Sequence, residues 1–401
     1  VTARSQARIA LAGVACLFAH ASVRADDTVP PPASERAAID AAILGAPSSA
    51  FHVDAMMTRI TSFDQSGHGY QAQGGPTAIS PGSERATIFE PQVEVDASQG
   101  ERIKHRIVVP IDVVSNASAD AIDVVSNASR HVEAGSIDWA TTYRADAVSD
   151  ATIVSGLHLE NPFRSWHSGL GASHAFAGGD TVVSGGFLEV FDWFDRFDIH
   201  GARFGRTDRS STTASVGVTQ ILTASTIVNV NYGITLQRGE LGNTWNSVPL
   251  TTFERGPEVL PDERLRQALV ARFAQYLPWN GALHLYYRFY TDDWGLIAHS
   301  ADVELMQRLS PDVYVGAFYR WHRQSGVDFF TTLAAPDSGL RTADSDLAPF
   351  DSQTIGGKVV IDVPLKTATV RALHFEVGYD HYERTNDLRV EVFTCATGYR
   401  F

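Results

Sequence analysis

Between residues 282 and 291 the chain alternates with a period of two. Leu283, Leu285, Tyr287 and Phe289 fall on one face, and His284, Tyr286, Arg288 and Tyr290 on the other. Over 313–322, Val313, Val315, Ala317, Tyr319 and Trp321 oppose Tyr314, Gly316, Phe318, Arg320 and His322. Over 373–380, Leu373, Phe375, Val377 and Tyr379 oppose His374, Glu376, Gly378 and Asp380, and 228–236 follows the same rule. Successive strand side chains point to opposite faces, so each stretch predicts an extended segment with one greasy side. Such segments are expected at 55–69, 84–97, 101–113, 131–144, 149–160, 165–177, 180–192, 210–222, 225–237, 262–277, 281–291, 297–309, 312–324, 352–365, 371–383 and 388–401.

A β-sandwich shows the same alternation, so length and connectors decide. Many segments reach the roughly 9–11 residues that a tilted strand needs to cross a bilayer, against about 5–6 in soluble sheets. Alternate connectors are short: Ser98–Gly100, Ala145–Ala147, Gly178–Gly179, Thr223–Ala224, Pro278–Asn280, Ser310–Pro311 and Lys366–Val370. The connectors 114–130, 193–209, 238–261 and 325–351 fall in the other set and are expected to be the longest. Short periplasmic turns and long outer loops mark membrane β-barrels. Trp139, Trp166, Trp193, Trp279, Trp294 and Trp321 lie near predicted strand ends, where an interfacial aromatic girdle is expected. The fold expected is therefore all-β: a transmembrane antiparallel barrel of about 16 strands, or 14 without the early hairpin.

Phe393, Cys395, Thr397, Tyr399 and Phe401 carry the alternation to the last residue, as expected of a C-terminal signal for the barrel-assembly machinery. At the other end Arg4 and Arg8 precede an apolar run from Ile9 to Ala19, and Val23-Arg24-Ala25 supplies a cleavage pattern. Residues 1–25 thus read as a secretory leader, too short to span a membrane. Residues 26–53 read as a partly disordered periplasmic segment with one short helix near Ala33–Leu44, and 54–401 as the barrel. Cys16 follows Gly13 and lacks the larger aliphatic residue that a lipidation signal places three positions earlier. Cleavage would leave Cys395 alone, with no internal disulfide.

Composition narrows the choice further. A mean hydropathy of −0.09 over 401 residues, with no long apolar run, excludes a helical membrane protein. A net charge of −14 argues against nucleic acid, which needs a basic surface.

The segment Asp112-Val-Val-Ser-Asn-Ala-Ser118 recurs as Asp123-Val-Val-Ser-Asn-Ala-Ser129. Two turn-forming copies in one loop are the simpler reading. Asp112, Asn116, Asp123 and Asn127 form a weak calcium candidate, since that ion takes carboxylate and amide oxygens. This doubled unit, Gln275–Trp279, the run Gly281–Gly295, Ala298-His299, Tyr319-Arg320 and Gln324-Ser325 together resemble a bacterial family labelled domain of unknown function 3570. The resemblance covers most of residues 84–401 and implies an outer-membrane barrel. It implies no activity and assigns no functional residue.

No Cys-x-x-Cys-His, Walker, Gly-x-Ser-x-Gly or His-Glu-x-x-His motif is present, and no catalytic residue or cofactor is assigned. His299 beside Ser300 and His167 beside Ser168 would point to opposite faces. If the greasy face meets lipid, then His284, Tyr286, Arg288, Tyr290, Arg320, His322, His374, Glu376 and Asp380 face the lumen. There they set a constriction and an ion preference, or pair with one another and stiffen the wall. Tyr286, Tyr290 and Phe318 would partly fill the interior.

The expected function is a passive pore for small polar solutes in the Gram-negative outer membrane. A scaffold or sheath for a secreted or electron-transfer partner protein and an outer-membrane hydrolase stay open. Expected partners are membrane lipid and lipopolysaccharide, the assembly machinery, small solutes and a possible partner protein.

Overall fold

The computed structural model describes residues 51–67, 86–115, 132–198, 202–242, 246–252, 254–365, 367 and 369–401. The expected leader, the rest of the segment through residue 50 and the repeat from residue 116 onward, including Asn116, Asp123 and Asn127, lie outside the described residues.

The strands are β1 (Phe51–Gly67), β2 (Ala86–Gln99), β3 (Ile103–Ser115), β4 (Val132–Arg144), β5 (Ser149–Glu160), β6 (Phe163–Phe176), β7 (Thr181–Phe197), β8 (Arg203–Thr223) and β9 (Thr226–Gly239). They continue with β10 (Ser247–Pro249), β11 (Arg255–Pro257), β12 (Glu263–Leu277), β13 (Gly281–Asp292), β14 (Ile297–Ser310), β15 (Val313–Gln324), β16 (Phe350–Pro364), β17 (Ala372–Arg384) and β18 (Leu388–Arg400). All but β10 and β11 close into one 16-stranded antiparallel barrel in chain order, with β12 following β9 and β1 meeting β18. At that seam Met56, Thr58 and Ile60 pair with Tyr399, Thr397 and Cys395, and the Phe401 amide donates to the Asp54 carbonyl at 3.0 Å. Strands about 4.8 Å apart and tilted about 40° make a 16-stranded cylinder about 30 Å across at the backbone. Barrels of that strand number leave an aqueous interior unless chain segments fill it.

One end of the barrel carries only short turns, at 100–102, 145–148, 177–180, 224–225, 278–280, 311–312 and 365–371. The other carries the four longest connectors: 68–85, 116–131, 240–262 and 325–349. One expected long connector is corrected. Over 193–209 the strands β7 and β8 run on to Phe197 and from Arg203, leaving only 198–202 between them. Alternation persists there, and Asp195 on β7 pairs with Arg203 at 2.6 Å and Arg206 at 3.2 Å on β8. Ion pairs of this kind let a hairpin stand above the apolar zone.

The alternation sorts the wall into two faces. Leu285, Tyr287, Val303, Leu305, Tyr319, Ile355, Val359, Val377, Tyr379 and Phe393 are all exposed, on six consecutive strands. Phe187, Leu170, Ile153, Leu157, Val216, Val218 and Tyr232 continue the same outer face around the barrel. Water-soluble proteins seldom expose more than a few hundred Å² of contiguous apolar surface. A girdle on every side of a closed barrel therefore meets hydrocarbon, and the barrel is a transmembrane one. Trp166 and Trp193 project from this outer face, whereas Trp294 does not. Trp294 is buried under the loops, donating from Nε1 to the Glu263 carbonyl at 3.0 Å. Its place near a strand end reflects loop packing rather than a membrane interface.

Candidate functional site

The inner face is polar. His284, Tyr286, Arg288, Arg320, His322, His374, Glu376 and Asp380 all lie opposite exposed apolar neighbours on the same strands, which places them on the inner wall. Most are paired with the next strand. Arg320 donates to Asp302 through Nε at 2.8 Å and Nη2 at 2.6 Å. His284 meets Glu304 at 3.0 Å, Lys358 meets Glu304 at 2.7 Å, and His374 meets Asp362 at 2.8 Å. Glu376 reaches Arg59 at 3.7 Å, passing over the small Ala396 of β18. These pairs run along the wall rather than across the lumen. Asp380 has no such partner. It lines a recess of ≈ 190 Å³ with Glu304, Phe318, Lys358 and Glu376, at positions left open by Gly316 and Gly378. Gly356 is required nearby, since a Cβ there would sit 2.1 Å from Asp380 Oδ1 and 2.5 Å from Phe318.

Tyr290 differs from the expectation. It is on the inner side but buried, donating to Asp292 Oδ2 at 2.7 Å and accepting from Arg266 Nε at 3.0 Å. Asp292 in turn accepts the Arg264 guanidinium and the backbone amides of Trp294 (3.0 Å) and Leu296 (3.1 Å). This knot is the base of a cap formed by the connectors 240–262 and 325–349. Tyr290, Trp294, Leu296, Ala298 and Val327 form one apolar core, with Leu241, Leu260, Phe329 and Leu347 against it. Val248, Leu250, Ala334 and Ala343 form a second around the β10–β11 hairpin. The two connectors exchange backbone hydrogen bonds, Ala334 to Pro249 at 2.9 Å and Arg341 to Val259 at 2.8 Å. Gly295, at φ 84°, leaves room for the Asp328 carboxylate.

A string of hydrogen bonds ties the cap to the inner wall. The Gln324 amide nitrogen donates to the carbonyls of Asp346 (2.9 Å) and Ala348 (2.7 Å), so its oxygen is free to accept from His322 Nε2 at 3.3 Å. That leaves His322 Nδ1 to accept the Ser300 hydroxyl at 2.8 Å. Arg384 adds an ion pair to Asp346 at 2.7 Å. Ser300 and His322 thus serve the cap, while His299 lies on the outer side, 2.7 Å from the Tyr287 hydroxyl. His167 is 3.3 Å from Asp138 across Gly156, whose missing Cβ makes the space.

Sequence reasoning missed the rest of the basic wall. On β12, Arg266 and Arg272 share the inner face with Arg288 of β13, because Leu269 opposite Phe289 and Ala271 opposite Tyr287 set the outer one. Among the described residues, none of the three has a carboxylate within ion-pair distance. Arg266 holds Tyr290 and Gln237, Arg272 donates to Asn229 Oδ1 at 3.2 Å beside the Tyr286 ring, and Arg288 lies over the Tyr290 ring. The signal was present in the spacing Arg264, Arg266, Ala268, Val270, Arg272. Eight strands away, halfway round the barrel, the inner faces of β2 and β3 carry Glu90, Glu94, Asp96 and Asp112. Arg106 lies 2.8 Å from Glu94, and Arg59 of the neighbouring β1 acts on Glu90 through its charge. Asp112, one member of the calcium candidate, sits here beside Glu90 rather than in a turn.

Fold and site together define a membrane-spanning β-barrel with a charged interior and a loop cap. The sequence matches the family model described as "Protein of unknown function (DUF3570)" over residues 174–393, more than half of the chain, and the chain belongs to that family. No curated protein matches it. Among solved structures it is similar to Pseudomonas aeruginosa OccK2 (OpdF), crystallised with glucuronate, at TM-score 0.44 and 10% identity, covering 87% of this chain and 96% of that one. A BenF-like porin from Pseudomonas fluorescens Pf-5 gives TM-score 0.44 and 9% identity, with 87% and 99% covered. A Pseudomonas aeruginosa FadL homologue gives 0.43 and 8%, with 90% and 94% covered.

Proposed function

We propose that this barrel is a passive pore of the Gram-negative outer membrane, through which small polar solutes diffuse in a transverse electric field. In this reading the turn end faces the periplasm, the leader ending at Ala25 directs export, and the assembly machinery inserts the barrel. The nine inner-wall residues expected from sequence act with the β12–β13 arginines: the free cations draw anionic groups, and the paired charges stiffen the wall. One observation carries the reading. Three guanidiniums with no carboxylate partner among the described residues face a carboxylate-rich wall half a turn away, inside a cylinder wide enough for water. Charges segregated in this way focus a field across a channel and sort solutes by sign and dipole. A scaffold needs no such segregation. A hydrolase would need a histidine able to swing onto substrate, whereas His322, the partner of Ser300, is tied through Gln324 to the cap.

The test is conductance of the purified, folded protein in planar bilayers. Discrete, reproducible steps are expected, with selectivity that shifts toward cations when Arg266, Arg272 and Arg288 are replaced by glutamine. A folded barrel that never conducts would overturn the pore in favour of the scaffold. Lipid or peptide turnover abolished by a single Ser300→Ala change would favour the hydrolase.

A further inference from the structure

On the outer face of β5 to β8 the apolar girdle is interrupted by one polar rung. Ser155 pairs with Ser168, Ser168 with Glu189, and Glu189 with Thr212, so four polar side chains stand in register on four neighbouring strands. The rung above it is Leu157, Trp166, Phe191 and, on β8, Ser210, and the rung below is Ile153, Leu170, Phe187 and Ala214. The large residues of both rungs are exposed, so on β5 to β7 the polar side chains Ser155, Ser168 and Glu189 are bracketed by lipid-facing ones. Glu189 carries a charge between two exposed apolar neighbours on its own strand, Phe187 and Phe191. It lies eight residues beyond Thr181, where β7 begins at the turn end. At a tilted rise of about 2.5 Å per residue, that is about 20 Å into a girdle about 25 Å tall.

The polar groups are only partly satisfied within the chain. Thr212 donates to Glu189 Oε2 at 2.6 Å and Ser155 donates to the His167 carbonyl at 3.1 Å. Among the described residues, Glu189 Oε1 and the Ser168 hydroxyl have no hydrogen-bond partner. Hydrocarbon offers none, so each carries a desolvation cost until a protein group arrives.

We propose that this rung is a self-association surface, occupied by a second copy of the same chain. Two copies inserted in the same direction present their rungs at the same depth. A two-fold axis along the membrane normal, passing between β6 and β7, keeps depth and reverses lateral order. It brings Glu189 of one copy opposite the partner's Ser168, and the reverse, so both unsatisfied groups are met twice. Strand tilt offsets paired residues on adjacent strands by about 3 Å in depth, within reach of a glutamate side chain. An acceptor facing a donor under the symmetry of a dimer is what selects a second copy over an unrelated partner.

The experiment uses the full folded chain in lipid vesicles, with dimer formation followed by single-molecule photobleaching across protein-to-lipid ratios. Wild type is expected to dimerise. Glu189→Leu, which suits the girdle and leaves the lumen untouched, is expected to raise the dimer dissociation constant at least tenfold, with no loss of the heat-modifiable folded form. Ser168→Ala deletes a hydroxyl with no partner among the described residues and serves if Glu189→Leu fails to fold; it is expected to weaken dimers at least threefold. A wild type that stays monomeric, or dimers indifferent to both changes, would overturn the assignment. Conductance of Glu189→Leu, unchanged per barrel, separates this outcome from failure of the pore reading.

Discussion

Replacing Arg288 with glutamine removes one positive charge that no carboxylate among the described residues neutralises, and the structure allows the consequence to be worked out. A monovalent solute passing about 6 Å from that guanidinium in a water-filled lumen feels about 0.7 kcal/mol before screening. At 0.1 M salt the Debye length is about 10 Å, which leaves about 0.4 kcal/mol. That is about a twofold change in local anion concentration and an equal, opposite change for cations. The anion-to-cation permeability ratio should therefore fall about fourfold, read from the reversal potential across a salt gradient in planar bilayers. At 1 M salt the Debye length is about 3 Å and the same substitution should change the ratio by only about 1.4-fold. Among the described residues Arg288 makes no hydrogen bond and lies over the Tyr290 ring, so folding stability should move by less than about 0.5 kcal/mol. An unchanged ratio at 0.1 M, or an equal shift at both salt levels, would refute the reasoning.

Three further outcomes follow from the same geometry. Arg320→Gln strips Asp302, whose side chain is only 16% exposed, of its bidentate partner, and should cost about 1–3 kcal/mol in urea unfolding where Arg288→Gln costs little. Val377→Arg puts a charge on the outer face and should destabilise the barrel by about 2–4 kcal/mol in vesicles, whereas Gly378→Ser beside it, where a Cβ finds ordinary contacts, should fall within about 0.5 kcal/mol. Trp294→Ala empties the cap core at a local cost of about 3–5 kcal/mol and should open 325–349 to proteolysis while the barrel stays folded; loss of the whole barrel would contradict a separately packed cap.

The barrel was legible because its signal is periodic and local. Leu285 and Tyr287 against His284 and Arg288 state the two faces within one segment, and short turns at alternate connectors state the order of the strands. Sequence alone expects a connector over 193–209, because the pairing of Asp195 with Arg203 and Arg206 that extends hairpin β7–β8 depends on contact between strands. Trp294 and Tyr290 were placed at the membrane interface and the lumen because periodicity says which way a side chain points, not what covers it. The cap that covers them is built from two connectors some 80 residues apart in sequence, joined by Leu250 and Ala334. The transverse field was hidden for a related reason. Arg266, Arg272 and Arg288 become a wall only when β12 pairs with β13, and Glu90 and Asp112 oppose them only when the barrel closes.

The account rests on the outer face meeting acyl chains, and nitroxide labels placed singly at 372–380 of β17 in lipid vesicles test that most directly. Accessibility to oxygen should peak at 373, 375, 377 and 379, and accessibility to a water-soluble nickel chelate at 374, 376, 378 and 380. Labels that see the chelate equally at every position, or that see neither reagent because both faces are packed in protein, would contradict it.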